Sequence, residues 1–348
     1  MNKPKKNSSY KRAGVDIEAA REAVDGFKAR VAETFSTDVL SQVGHFGGMY
    51  SLAGAKAVNP VLVCSTDGVG TKLIVARMAG RHDTVGECLV NHCVNDVMVQ
   101  GAKPLFFMDY ISVGKLRPDH IAEVMSGFLR GCKNNNIALL GGETAEMPDV
   151  YGEEDYDLAG FILGLAERER LITGEKVAEG HVLVGLPSTG LHTNGYSLAR
   201  KVIFSECGAS INDPLPGGRG ETMGEALLAV HRSYKRPLET LFAAELADAA
   251  AHITGGGLTD NLPRVFPHGL DARIERGSWP VPPIFSYLAE AGNIDEEEMY
   301  QVFNMGVGMV LIVAQEKLEE TLKVLKGLNE KPFVIGKMTP GSHRVRYV

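Results

Sequence analysis

Apolar residues first recur at spacings of three and four, through Ile17, Ala20, Val24, Phe27, Val31 and Phe35. That period predicts an amphipathic helix, with Asp16 placed to cap its N-terminus. The same period returns over 85–99, through Cys88, Leu89, Val94 and Val97. It returns again over 118–132 behind Pro118, a residue suited to a first helical turn. Short β-rich apolar runs over 61–65, 104–113, 137–140 and 158–165 predict strands between these helices. The first half therefore reads as an α/β unit. Around 168–180 the chain turns charged and loses its period, which predicts a domain boundary.

The second half restarts with a strand over 182–186 and a helix over 196–207, opened by Asn194-Gly195. A Pro/Gly-rich loop follows over 212–220, then a largely helical stretch over 222–242 despite Pro237. Residues 258–265 predict a helix, 307–313 a strand and 316–328 a helix. No repeat of solenoid or propeller length is visible. Residues 2–12 are polar and basic with no apolar run behind them, so no secretory signal is expected. The longest apolar runs are strand-sized, so no membrane span is expected.

Composition changes this picture in three ways. The 348 residues carry 36 Lys and Arg against 43 Asp and Glu, a net charge of −7, which argues against a nucleic-acid partner. The five cysteines are odd in number and form no C-x-x-C, which fits reduced thiols in a cytoplasm rather than disulfides or zinc. The 40 glycines exceed the usual share of about 7% and point to loops where backbone approaches a ligand.

Neither a P-loop nor a G-x-G-x-x-G fingerprint is present. Instead, three segments place an acid among small residues. Ser65-Thr66-Asp67-Gly68-Val69-Gly70-Thr71-Lys72 ends a strand in a carboxylate and opens a helix with a lysine. It reads equally as a capped strand–helix turn or as a place for phosphate and Mg²⁺. Asp96, in Val94-Asn95-Asp96-Val97, sits in an apolar helix and needs solvent or a partner such as arginine. Gly141-Gly142-Glu143-Thr144 follows a buried strand and reads as a ligand loop or a loop with surface acids. Further on, His192-Thr193-Asn194-Gly195 precedes a helix and can hold a phosphate or merely cap it. Thr254-Gly255-Gly256-Gly257 and Asn304-Met305-Gly306 read as close-approach loops. His82, His120, His231 and His343 read as surface or loop residues, and no histidine shows a metal-ligand spacing. Met98, Met125 and Met309 are core candidates.

The ordered set of these motifs, with Ser9-Tyr10-Lys11 and Ala13-Gly14-Val15-Asp16 ahead of it, resembles the phosphoribosylformylglycinamidine cyclo-ligase (aminoimidazole ribonucleotide synthetase) family from about Tyr10 to the C-terminus. The resemblance implies ATP-dependent ring closure of formylglycinamidine ribonucleotide in purine synthesis, in the cytoplasm, with ATP and Mg²⁺. It implies an α/β N-terminal domain over 1–170, for ATP, Mg²⁺ and dimerisation, and an α+β substrate domain over 171–348. It also implies a homodimer whose N-terminal sheets join into a central barrel. Residue by residue, it implies Asp67, Asp96 and Glu143 as metal ligands. Gly14, Val15, Asp16, Gly68, Gly70, Thr71, Lys72 and Asn95 would contact the nucleotide. His192, Thr193, Asn194, Thr254, Gly255, Gly256, Gly257 and Asn304 would contact the ribonucleotide. Lys11, Lys72 and His192 would carry catalytic roles.

Three places depart from the family pattern: His45 in the loop Gly44-His45-Phe46-Gly47, Thr193 where Ser is frequent, and the stretch Leu258-Thr259-Asp260-Asn261 where an aromatic is sometimes seen. Rival readings are a selenophosphate synthetase, which would want a reactive N-terminal Cys, and a thiamine-phosphate kinase. A non-catalytic maturation partner would present a C-terminal Cys, where this sequence reads Tyr347-Val348.

Overall fold

The computed structural model describes residues 14–348; Lys11 and the polar segment before it lie outside the described residues. Helix α1 (Ile17–Ala32) begins where expected. Asp16 accepts from the backbone N–H groups of Glu18 and Ala19, and Phe27 and Val31 are buried. Strand β1 (Pro60–Gly68) leads into α2 (Lys72–Ala79) and α3 (Val85–Met98). Then come β2 (Lys103–Val113), α4 (Pro118–Asn135), β3 (Ala138–Glu146) and β4 (Tyr156–Glu167).

These strands form a mixed sheet in the order β1-β4-β2-β3, with β2 and β3 parallel and the other pairs antiparallel. The expected strand at 137–140 runs six residues further. Gly141–Glu146, read as a loop, is the paired second half of β3, with Gly142 opposite Asp109 and Glu143 opposite Tyr110. The parallel partner β2 supplies ladder hydrogen bonds that local composition does not reveal.

Helix α3 is buried on nearly all sides, with only Asp96 among its residues partly open. Its apolar side chains pack against the sheet, each contributing about 1.5–3 kcal/mol. Its contact with α4 is backbone-close. A Cβ on Gly86 would lie 2.5 Å from the Val124 carbonyl, and one on Gly127 would lie 2.5 Å from that of Asp83.

The C-terminal half holds β5 (Val182–Pro187), α5 (Tyr196–Arg200), α6 (Met223–Leu228), α7 (Lys235–Ala243) and β6 (Ala249–His252). After these come α8 (Gly257–Asn261), β7 (Leu270–Ile274), α9 (Pro283–Ala291), α10 (Glu296–Val302), β8 (Val307–Val313), α11 (Leu318–Gly327), β9 (Phe333–Pro340) and β10 (Val345–Tyr347). Its six strands form one sheet in the order β10-β7-β9-β5-β8-β6, antiparallel except for the β10–β7 pair. This is a two-domain α/β architecture with mixed sheets.

The single helix expected over 222–242 is two helices. Thr222 and Glu225 close a capping box on α6, and the chain leaves helical geometry at Ala229. Pro237 falls in the first turn of α7, where its missing N–H costs nothing. The break frees residues 229–234 to lie along α3. Residues 196–207 begin as α5 and continue as a π-helical turn over Lys201–Glu206.

Candidate active site

The polar face of α3 carries Asn91, His92, Asn95 and Asp96, one turn apart in pairs. The 229–234 segment is pinned to it. Asn91 donates to the His231 carbonyl at 2.8 Å. Asn95 donates to the Arg232 carbonyl at 3.0 Å and accepts from the Tyr234 N–H at 2.8 Å. Asn95 is fully buried and clasps the two halves together.

Lys72 is enclosed in the same way. Its ammonium is fully buried and lies 3.0 Å from the His192 carbonyl, 2.6 Å from the Ala229 carbonyl and 3.2 Å from Cys88 Sγ. An ammonium has three protons, and three acceptors lie within reach of them. Thr71, next to it, keeps its hydroxyl at the opening, 3.2 Å from Ser197 Oγ across the domain junction.

Asp67, at the end of β1, and Asp96, on α3, do converge. His92 Nε2 lies 2.6 Å from Asp67 Oδ2 and 4.0 Å from Asp96 Oδ2. Asp96 finds histidine and serine rather than arginine: His252 Nδ1 lies 2.8 Å from its Oδ1, and Ser65 donates to its Oδ2 at 2.8 Å. Burial works against the Asp96 charge. The His252 hydrogen bond and the charge of nearby His92 outweigh it and hold the carboxyl down to about 2. Burial also opposes charge on His92, yet its bond to Asp67 raises it above the ordinary imidazole value. Burial keeps His252, His231 and His192 below that value, and hence neutral near pH 7.

Four histidines far apart in sequence gather here, and His231, expected at the surface or in a loop, is among them. His231 is fully buried, its ring stacked on that of His192 with centroids 3.9 Å apart. His231 Nε2 lies 2.9 Å from His252 Nε2, and Thr193 Oγ1 lies 2.8 Å from His92 Nδ1 and 3.4 Å from His231 Nδ1. No short spacing links residues 92, 192, 231 and 252, so only the fold assembles them. His192 adopts a positive φ of 63° and accepts from the Thr189 N–H at 3.2 Å; its buried Nδ1 has no partner among the described residues.

The other expected substrate positions divide. Gly255 brings the 254–257 loop against the 192–194 loop, since a Cβ there would lie 3.2 Å from Asn194 Oδ1. Gly256 and Gly257 answer to packing. Both have positive φ, and a Cβ on Gly257 would lie 2.0 Å from the Tyr300 carbonyl. Thr254 donates to Asn261 Oδ1 at 3.3 Å. Asn304 is internal: it accepts from Ser188 Oγ and the Gly306 N–H, both at 2.9 Å, and donates to the Gly190 carbonyl at 2.8 Å.

Glu143 does not join Asp67 and Asp96. Asp67 sits opposite Gly160, Gly160 opposite Asp109, and Asp109 opposite Gly142. Glu143 therefore lies at the other sheet edge, three strand spacings or about 14 Å away. It lines a cleft of about 300 Å³ with the Gly44–Gly48 loop that contains His45. The Gly14–Asp16 segment belongs to that same edge: the Asp16 N–H donates to Glu146 Oε2 at 2.6 Å. Gly68 and Gly70 stay with Asp67, Gly70 at a φ of 67°.

Comparison with known proteins agrees with this two-domain organisation. Residues 48–166 match the family described as AIR synthase related protein, N-terminal domain, and residues 178–348 match its C-terminal domain. A phosphoribosylformylglycinamidine cyclo-ligase of Trichlorobacter lovleyi is 49% identical over 97% of this chain and 96% of its own length. One of Citrifermentans bemidjiense is 50% identical over 95% and 94%. Among solved structures, a thiamine-monophosphate kinase from Stenotrophomonas maltophilia superposes with a TM-score of 0.70 at 18% identity, over 94% of this chain and 95% of its own. The hydrogenase maturation protein HypE in complex with ATP superposes at 0.66 and 15%, over 97% and 93%. At those identities the two structures share the fold alone. Matched along both halves and by relatives of equal length, the chain belongs to the AIR synthase family.

Proposed function

We propose that this chain closes the imidazole ring of aminoimidazole ribonucleotide, converting formylglycinamidine ribonucleotide and ATP into that product, ADP and phosphate. The observation that carries the reading is 49% identity to a cyclo-ligase over nearly the whole of both chains. The geometry supports it, because Asp67 and Asp96 of one half meet Thr193 and His252 of the other across one opening.

A formamide oxygen is a poor leaving group. Transfer of the γ-phosphoryl group of ATP to it makes a phosphate ester and releases ADP. The amidine nitrogen then attacks that carbon, loses a proton, and phosphate departs. Such a reaction asks for placement and charge compensation rather than a nucleophilic side chain. Asp67 and Asp96 are partly open oxygen donors and fit a hard divalent ion carried by ATP. Mg²⁺, when bound there, would neutralise charge on the phosphates. Thr71 and the Gly68–Gly70 turn lie beside it. Thr193, Asn194, Thr254 and Gly255 face the ribonucleotide in this reading, and neutral His192 positions their loop. In this reading the Gly14–Asp16 segment is assigned to the nucleotide, and Lys11 lies outside the described residues.

The same reading assigns residues 1–170 to nucleotide binding and dimerisation and 171–348 to the ribonucleotide, in a cytoplasmic homodimer. No helix among the described residues is long and apolar enough to cross a membrane, and all five cysteines are free. The homodimer rests on one sheet face. Leu62, Phe106, Met108, Tyr110, Phe161 and Leu163 alternate onto the side away from α3, where Leu62 is 54% exposed and Tyr110 40%. A second copy covering that face would close the two sheets into a barrel.

The test is ADP release with formylglycinamidine ribonucleotide and Mg²⁺–ATP, measured together with the aminoimidazole product. We expect substrate-dependent release in a one-to-one ratio with product. ATP binding without turnover would overturn the reading in favour of another reaction on the same fold.

A further inference from the structure

Cys88 is a free, fully buried thiol that the ring closure does not use. It stands in the first turn of α3 and points at the start of α2. Its Sγ lies 3.2 Å from the Lys72 ammonium and accepts from the His231 N–H at 3.3 Å. A lysine this deep is almost never found without a paired acid. This one ends on two carbonyls and a thiol instead. The other four cysteines are placed differently. Burial pushes the Cys93 and Cys132 thiols well above their ordinary range, and Cys64 and Cys207 are exposed. Among the described residues, no lysine donates to any of these four sulfurs.

We propose that Lys72 and Cys88 form a reversible covalent switch: peroxide joins Nζ to Sγ as a sulfenamide, and a thiol reductant parts them. In the first step hydrogen peroxide oxidises the thiol by two electrons to a sulfenic acid and is reduced to water. In the second step the sulfenic S–O bond breaks. Its oxygen takes a proton from the ammonium and leaves as water, the freed nitrogen lone pair forms the S–N bond, and the nitrogen sheds a second proton. A sulfenic acid goes on to the sulfinic acid unless a nucleophile meets it first. Here the nucleophile is already in contact, which gives condensation the advantage of an intramolecular step. The flexible four-carbon stem of lysine closes the remaining distance.

Peroxide has a way in. Ala229, whose carbonyl accepts from Lys72 at 2.6 Å, is partly exposed and lines an open cleft of about 220 Å³ beside Thr189 and Ala226. The link also has a consequence for the fold. The bonded nitrogen is uncharged and keeps one proton, so it serves one of the His192 and Ala229 carbonyls in place of both. Oxidation therefore loosens the hold of the first half on the 229–234 segment and the His192 loop. The inference stands apart from the proposed function, because the bond is read by mass rather than by turnover.

The experiment treats the full chain with hydrogen peroxide, then digests it and maps the peptides by mass spectrometry, with and without dithiothreitol. We expect one pair of peptides joined through Lys72 and Cys88, about 2 Da lighter than the two reduced peptides together, and absent after dithiothreitol. Cys88→Ser keeps an acceptor at this place and should show no such pair. Amide hydrogen exchange over 229–234 should rise about threefold or more in the linked chain, and not in peroxide-treated Cys88→Ser. The wild-type map needs no variant to fold. Cys88 recovered as sulfinic or sulfonic acid with Lys72 free would overturn the inference. So would a Cys88 thiol still reduced once Cys64 and Cys207 are oxidised, or a joined pair that retains an oxygen. A link that leaves exchange over 229–234 unchanged would overturn its role as a switch.

Discussion

Lys72 and Asp67 lie five residues apart in one motif, yet the fold uses them in opposite ways. The Lys72 ammonium is buried on two carbonyls of the second half, while Asp67 faces the opening. Removing the ammonium takes the donor from the Ala229 carbonyl and leaves the His192 carbonyl to the Tyr196 hydroxyl alone. Lys72→Met should therefore destabilise the chain by about 2–4 kcal/mol, read as a lower urea midpoint. A raised KM for ATP with an unchanged midpoint would instead return Lys72 to the phosphate. Asp67→Asn keeps the shape of the side chain and removes its charge. It should lower turnover at least about 100-fold while circular dichroism and the melting curve stay as in the wild type; normal turnover by the folded variant would refute the metal-ligand role.

Helix α3 organises the molecule because it presents different chemistry to each side. Its apolar residues face the sheet, its polar residues take the 229–234 segment and the acids' partners, and Gly86 admits the backbone of α4. The α3–α4 contact cannot open without moving the sheet beneath it. Gly86→Ala would push a methyl group onto the Val124 carbonyl and the Phe128 N–H. We expect a loss of about 1–3 kcal/mol, measured by chemical denaturation. An equally stable alanine variant would mean that α3 and α4 stand further apart than described.

For the whole molecule, the open question is what covers the apolar face of the first sheet. Leu62, on the edge strand β1, is more than half exposed among apolar neighbours. In the proposed homodimer it is buried against a second copy, so Leu62→Asp would place a charge in that interface. Sedimentation should show the wild type at twice the mass of one chain and Leu62→Asp shifted toward a single chain. A wild type that sediments as a single chain would leave the barrel without support. The two halves of one chain are bound independently of this interface, through Lys72, Asn95 and the Asp96–His252 pair.

How much was legible in the sequence follows from the range over which each feature is encoded. The first-half helices and strands, the cap at Asp16 and the turns of β1 into α2 are written in neighbours a few residues apart, and a hydrophobic period reads them directly. The motif order was enough to indicate the family, because it runs the length of the chain. The break between α6 and α7 was half legible: Pro237 marked it, but the reason for it is the far side of α3. The strand half of Gly141–Glu146 was hidden, because its hydrogen bonds belong to β2. The same limit separated Glu143 from Asp67 and Asp96. All three follow apolar runs and look alike in sequence, whereas strand order puts Glu143 at the opposite sheet edge. It also concealed the histidines at 92, 231 and 252, whose chemistry exists only where α3, the broken helix and β6 meet. Local spacing dictates which elements form; burial and strand order dictate which side chains share an environment, and that is where the site is made.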